Sequence, residues 1–281
     1  MVDKLVTADW VQAHLDDPSV RLVEVDVDTE AYKESHLPGA VAFNWTTQLQ
    51  DQTNRDIISK SSLDALLSAA GIDNNTHVVL YGDNNNWFAA YALWILELYG
   101  HANVSLMDGG RVKWLADGRP STPVVPSHAA KQYRAQEPNP ALRAQREEVL
   151  RAANAPGSGP QLVDLRSPAE YKGEIIAPPG MTETAQRAGH IPGAKNIPWA
   201  RAVNEDGTFK SPDELRALRR GRRAGRRADD RLLPHRRALL AHLVRAEAPA
   251  GLSGREELRR LLDRVRFAHR RAGREVAREA R

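Results

Sequence analysis

The chain contains no cysteine in 281 residues. That absence excludes disulfides, thiolate metal sites and thiol chemistry in the polypeptide as written. No run approaches the roughly 18 apolar residues that a membrane span needs. Residues 1–15 carry Asp3, Lys4, Asp9 and His14 with no apolar stretch between them, so no secretory leader is expected and the location read from the sequence is cytoplasmic. From Arg219 onward Ile, Lys, Tyr, Trp, Asn, Gln, Met and Thr are all missing, and Phe267 is the lone aromatic. Residues 219–281 hold 20 Arg against 8 acidic residues, a net charge of +12, whereas residues 1–218 carry −8. An asymmetry of that size points to a nucleic-acid arm, a separate module, or a segment of different origin.

What is present before Arg219 is an alternation of strand and helix signals. Residues 20–27 form a short apolar run with Asp26 near its end. Residues 62–70 have helical spacing, with Leu63, Leu66 and Leu67 on one face and Gly71 as the stop. His77–Tyr81 reads as a buried strand, residues 87–99 as a helix ended by Gly100, and residues 103–107 as a further strand leading into Asp108-Gly109-Gly110. Strands alternating with helices predict a parallel sheet covered on both faces. Residues 120–160 hold seven of the 17 prolines and read as a linker interrupted by a short helix over residues 142–152.

A second round begins after the linker. Leu162-Val163-Asp164-Leu165-Arg166 repeats the first strand, and His190-Ile191-Pro192-Gly193-Ala194 repeats His36-Leu37-Pro38-Gly39-Ala40. Asp26 and His36 are 10 residues apart, Asp164 and His190 26, and the excess is a loop over residues 173–187. A repeat of this length is a domain duplication rather than a solenoid. Asn204-Glu205-Asp206-Gly207 reads as a turn, and Ser211-Pro212-Asp213-Glu214 as a capping box opening a helix that runs to Leu218. There the pattern stops. The expected organisation is 1–125 as a first domain, 126–158 as linker, 159–218 as the first half of a second domain, and 219–281 as an Arg-rich tail of helical fragments or disorder.

Two His-x-Pro-Gly-Ala motifs, each downstream of a strand ending in Asp, together with Tyr81-Gly82-Asp83 before a helix and Asp108-Gly109-Gly110 before Trp114, resemble the tandem-domain rhodaneses over about residues 1–218. The resemblance implies two tandem α/β domains, each a parallel sheet flanked by helices. It also implies a thiosulfate sulfurtransferase, which takes sulfane sulfur onto a cysteine, releases sulfite, and passes the sulfur to cyanide or another thiophile. No cofactor or metal is implied, and the expected state is a monomer. The family's second domain carries that cysteine at the end of a strand, opening a loop of the type Cys-Arg-x-Gly-x-Arg-Ser-Ser-His-Thr. Backbone N–H groups and a helix N-terminus facing the sulfur lower the thiol pKa there. In the first domain Asp83 occupies the corresponding position, and a hard carboxylate cannot form a persulfide. Asp83, Asn84 and Asn86 are then a vestigial loop, and Arg166 is a candidate anion contact.

The genetic code locates the missing residue. Shifting the family loop Tyr-Cys-Arg-Ile-Gly-Glu-Arg by one reading frame, with GC-rich codons, gives Leu-Pro-His-Arg-Arg-Ala, and the chain reads Leu233-Pro234-His235-Arg236-Arg237-Ala238. The agreement runs over residues 233–246 and again over residues 254–266, which the same rule derives from Asp-Val-Lys-Asn-Tyr-Asp-Gly-Ser-Trp-Thr-Glu-Tyr-Gly. A one-base insertion or a two-base deletion just after Leu218 produces it, with the cysteine codon straddling Leu233 and Pro234. GC-rich DNA read out of frame also accounts for the arginine. Two other readings stand beside this one. A 3-mercaptopyruvate lineage is disfavoured because its loop continues from Cys with Gly-Ser-Gly. A non-catalytic binding protein with a basic nucleic-acid-binding tail would lack aromatics for base stacking, so specific nucleic-acid recognition is not expected.

Individual polar residues have structural readings. His36 and His190 fix a turn, with Pro and Gly supplying the bend. Asp26 is a buried carboxylate satisfied by backbone N–H groups, and Asp164 pairs with Arg166. Asn84, Asn85 and Asn86 read as helix-capping residues and Trp87 as core packing. Asp73-Asn74-Asn75 reads as a turn.

Overall fold

The structure, a computed structural model, describes residues 2–220 apart from 55, 156–159 and 179–186. The Arg-rich tail from 221 and the Leu233/Pro234 junction lie outside the described residues, as does the expectation of helical fragments or disorder there.

The first half is a five-stranded sheet. Its strands are β1 (Leu5–Val6), β2 (Val20–Asp26), β3 (Val41–Asn44), β4 (His77–Tyr81) and β5 (Val104–Met107), in the order β1-β5-β4-β2-β3, with every pairing parallel. Its helices are α1 (Ala8–Ala13), α2 (Glu30–Glu34), α3 (Trp45–Gln48), α4 (Lys60–Ala69), α5 (Asp83–Leu98) and α6 (Gly110–Ala116). The two-residue period of β4 sends Val78 and Leu80 into a core with α4 and α5, and Val79 and Tyr81 into a second core with Val11 of α1 and Trp114 of α6. A sheet buried on both faces explains why its strands read as continuous apolar runs. The order of strands reverses between β2 and β4, which places a crevice at their carboxyl ends, the usual ligand position of open α/β sheets.

The proline-rich segment is strapped to the first half rather than hanging free. Thr122 and His36 exchange backbone hydrogen bonds of 2.9 Å, Lys131 N–H donates to Ser68 O, and Gln136 N–H donates to Tyr99 O. Tyr133 is buried against the α4–α5 core. The helix read over 142–152 is a 3-10 turn at Pro140–Leu142 followed by α7 (Arg146–Asn154).

The second half repeats the start of the first. β6 (Val163–Asp164) and β7 (Lys195–Asn196) form a parallel pair, with α8 (Pro168–Lys172), a 3-10 turn at Trp199–Ala202 and α9 (Pro212–Arg220). Ser211 Oγ and Glu214 close the expected capping box at α9. The duplication extends to side-chain contacts. Tyr32 and His36 stack at 3.8 Å, His36 Nδ1 lies 2.7 Å from Tyr32 O, and the Tyr32 hydroxyl donates to Ala40 O at 2.7 Å. Tyr171 and His190 stack at 3.7 Å, with corresponding distances of 2.8 Å to Tyr171 O and 2.8 Å to Ala194 O. Both histidines therefore hold turns. Among the described residues no helix is long and apolar enough to cross a membrane.

Candidate functional site

The crevice between β2 and β4 is lined by the loop that leaves β4. Gly82 is fully extended and passes so close to β2 that a Cβ there would stand 2.4 Å from Val25 O, so only glycine fits. Asn84, Asn85 and Asn86 then adopt three consecutive left-handed conformations, with φ of 49°, 54° and 64°. Asn tolerates that region better than other non-glycine residues. Asn86, fully buried, fixes the loop: its Oδ1 accepts from Gly82 N–H at 3.0 Å and its Nδ2 donates to Met107 O at 2.7 Å. The asparagines thus shape the loop instead of capping α5, whose regular turns begin at Trp87. Trp87 is partly exposed and faces Trp199 of the second half instead of filling the core.

Three carboxylates and one guanidinium meet beneath this loop. Asp26 Oδ2 accepts the Asp83 N–H at 3.0 Å, as expected of a buried carboxylate at that strand end. Glu24, 2% exposed, lies one strand position inward on the same face. Arg111, the second residue of α6, reaches Glu24 and Asp83: its Nε is 3.7 Å from Glu24 Oε1 and its Nη1 is 3.5 Å from Asp83 Oδ2. Its Nη2 donates to Ala31 O and Ser35 O, which fixes the guanidinium against α2. Burial pushes the Glu24 carboxyl up to about 7 against the opposing pull of the Tyr81 hydroxyl and Arg111. Burial likewise raises Asp26 to about 7, although the Asp83 N–H favours its ionised form. Glu24 and Arg111 were not singled out from the sequence, and Tyr81 entered only through the Tyr81-Gly82-Asp83 motif. Glu24 has a signal there, a lone acid in the middle of an apolar strand; Arg111 has none beyond following Gly109-Gly110.

The group at the mouth of the crevice is the Asp83 carboxylate, an oxygen acid held by Arg111. It can accept hydrogen bonds, but it offers no soft nucleophile to a sulfane sulfur. Arg166 lies elsewhere, at the end of β6. Its Nη2 donates to Asp164 Oδ2 at 2.6 Å and to Gly189 O at 2.7 Å, and its Nε approaches Asp164 Oδ1 at 3.1 Å. Among the described residues no hydrogen bond or ion pair joins Arg166 to the Asp83 loop; its Nε and Nη2 are engaged with Asp164 and Gly189. Among the described residues no group of His, Asp and Glu side chains is arranged to hold a metal ion.

Comparison with known proteins agrees with the duplicated architecture. The profile of the rhodanese-like domain matches twice, at residues 7–117 and 146–231. A Haloferax volcanii protein provisionally named a thiosulfate sulfurtransferase is 57% identical over 221 residues, 77% of this chain and 76% of its own. The sulfur carrier protein TtuD of Thermus thermophilus is 51% identical over 216 residues, 76% of each chain. Among solved structures, the 3-mercaptopyruvate sulfurtransferase SseA of Escherichia coli superposes with a TM-score of 0.67 at 26% identity, over 80% of this chain and 85% of its own. The chain belongs to the rhodanese-like family of sulfurtransferases.

Proposed function

We propose that this chain descends from a thiosulfate sulfurtransferase and that, as a 281-residue polypeptide, it does not perform the reaction. In the intact lineage a cysteine thiolate attacks the sulfane sulfur of thiosulfate, the sulfur–sulfur bond breaks, and sulfite departs with its electron pair. The persulfide then hands its outer sulfur to cyanide or another thiophile. The observation that carries the proposal is the complete lack of cysteine, with Asp83 standing at the first-domain loop position. No other side chain of the chain supplies a thiolate, and the second loop position falls at Leu233/Pro234.

A change of reading frame after Leu218 accounts for the loss. The coverage of the relatives supports it: about a quarter of this chain and about a quarter of the Haloferax volcanii protein lie outside their match. The thiosulfate reading is supported over the 3-mercaptopyruvate one by relatives of 51% to 57% identity, against 26% for SseA. In keeping with the lineage, the donor and acceptor are small molecules, Asp83, Asn84 and Asn86 are a relict of a sulfur-binding loop, and the protein is a cytoplasmic monomer without a cofactor. The test is a thiosulfate:cyanide assay on the purified chain, with mass spectrometry for a bound persulfide sulfur. Neither turnover nor persulfide is expected; either would overturn the proposal. Saturable, salt-sensitive binding of one defined nucleic acid would favour the binding-protein reading instead.

A further inference from the structure

The loop over residues 83–87 has no sulfur to hold, yet its outer rim is fully used. Trp87 and Trp199 lie 5.4 Å apart, tilted by 32°. The Phe209 N–H donates to Asp108 Oδ1 at 2.8 Å, and Lys113 Nζ is 3.5 Å from Asp206 Oδ2. Gly207, with φ of +81°, sits so close that a Cβ would stand 3.2 Å from both Asn85 Oδ1 and Gly109 O. The Phe209 ring packs against the core between the first sheet and α5. A ring contact at Trp199, and a hydrogen bond, an ion pair and a close backbone approach at the turn over residues 204–209, thus converge on this rim.

That turn belongs to a unit poor in interior of its own. Its described sheet is two strands of two residues each, and from residue 146 onward Val149, Ala194 and Val203 are the buried apolar side chains among the described residues. A described core that small contributes little burial, so contacts with the folded first half weigh heavily in its stability. We propose that the 83–87 loop and the neighbouring Asp108–Lys113 rim form an intramolecular docking site that keeps the second half folded. A loop shaped for chemistry in one copy of the duplication serves as an interface in the other.

Hydrogen exchange on the full 281-residue chain and its variants tests this. Asp108→Ala removes the acceptor of the Phe209 amide, whereas Asp108→Asn keeps an oxygen in its place. Asp108→Ala and Trp87→Ala are each expected to speed exchange of the amides over residues 199–211 by about tenfold, the weight of one charge-assisted hydrogen bond or one aromatic ring contact. Amides of β2, β4 and β5 keep their parent rates, and Asp108→Asn stays within about threefold of the parent throughout. Unchanged exchange over 199–211 in both disruptive variants would overturn the proposal. So would an equal rise in β2, β4 and β5, because the residues would then serve only the first half's own stability.

Discussion

Glu24 and Asp26 lie on one strand of seven residues, both buried and both raised to about 7 by desolvation. A carboxyl whose folded value exceeds its unfolded value of about 4 keeps a proton that the unfolded chain releases. Its contribution to stability is therefore greatest below pH about 4, falls as pH rises, and levels off above about 7. Asp26→Asn keeps an acceptor for the Asp83 N–H and removes the titration. The variant is expected to gain on the parent by up to about 1.4 kcal/mol per pH unit across that window, read from denaturant unfolding at pH 4, 5.5 and 8. A constant difference would count against the buried-acid account. Gly82→Ala is expected to cost about 3 kcal/mol, since its Cβ would meet Val25 O at 2.4 Å and neither backbone can move away. Asp26 was legible in the sequence because an acid ending an apolar strand has few ways to be satisfied. Arg111 was not, because Glu24 and Asp83 are 87 and 28 residues away and only the sheet order brings them together. The three asparagines were read as caps from their side chains; the contacts of Asn86 with Gly82 and Met107 decided otherwise.

At the scale of elements, the Tyr–His clamp makes the duplication physical. Tyr32→Phe leaves the carbonyl of the buried Ala40 without its donor, and is expected to lower stability by about 1 to 2 kcal/mol. Tyr171→Phe removes the corresponding bond from a more exposed turn and is expected to cost less than half as much, because water can replace the hydroxyl. Equal losses, measured by hydrogen exchange at Ala40 and Ala194 and their neighbours, would contradict this. The long apolar strands, α4, α5 and the capping box at Ser211 were legible because period and cap chemistry are local. β1 was not: two residues carry no period, and its register against Leu106 and Met107 is a tertiary fact. The strap over the first half was hidden for a similar reason, since proline content marks an absence of helix but not where the extended chain lies.

The whole molecule combines two segments that match the rhodanese-like domain, residues 7–117 and 146–231, with a C-terminal stretch of different composition. The charge split falls at residue 218, inside the second family match, and the proposed change of frame would account for it without a selected function for the arginines. On this account the purified chain binds nucleic acid only as a loose polycation, with affinity that collapses between low and physiological salt and no preference among sequences; a filter-binding titration over salt measures it. The family was legible because its motifs recur in order. The most direct measurement is the nucleotide sequence around codon 218. The account predicts that removing one base there, or restoring two, opens a frame encoding Cys-Arg-x-Gly-x-Arg-Ser-Ser-His across codons 233 to 241, and a gene whose other frames hold no such loop would contradict it.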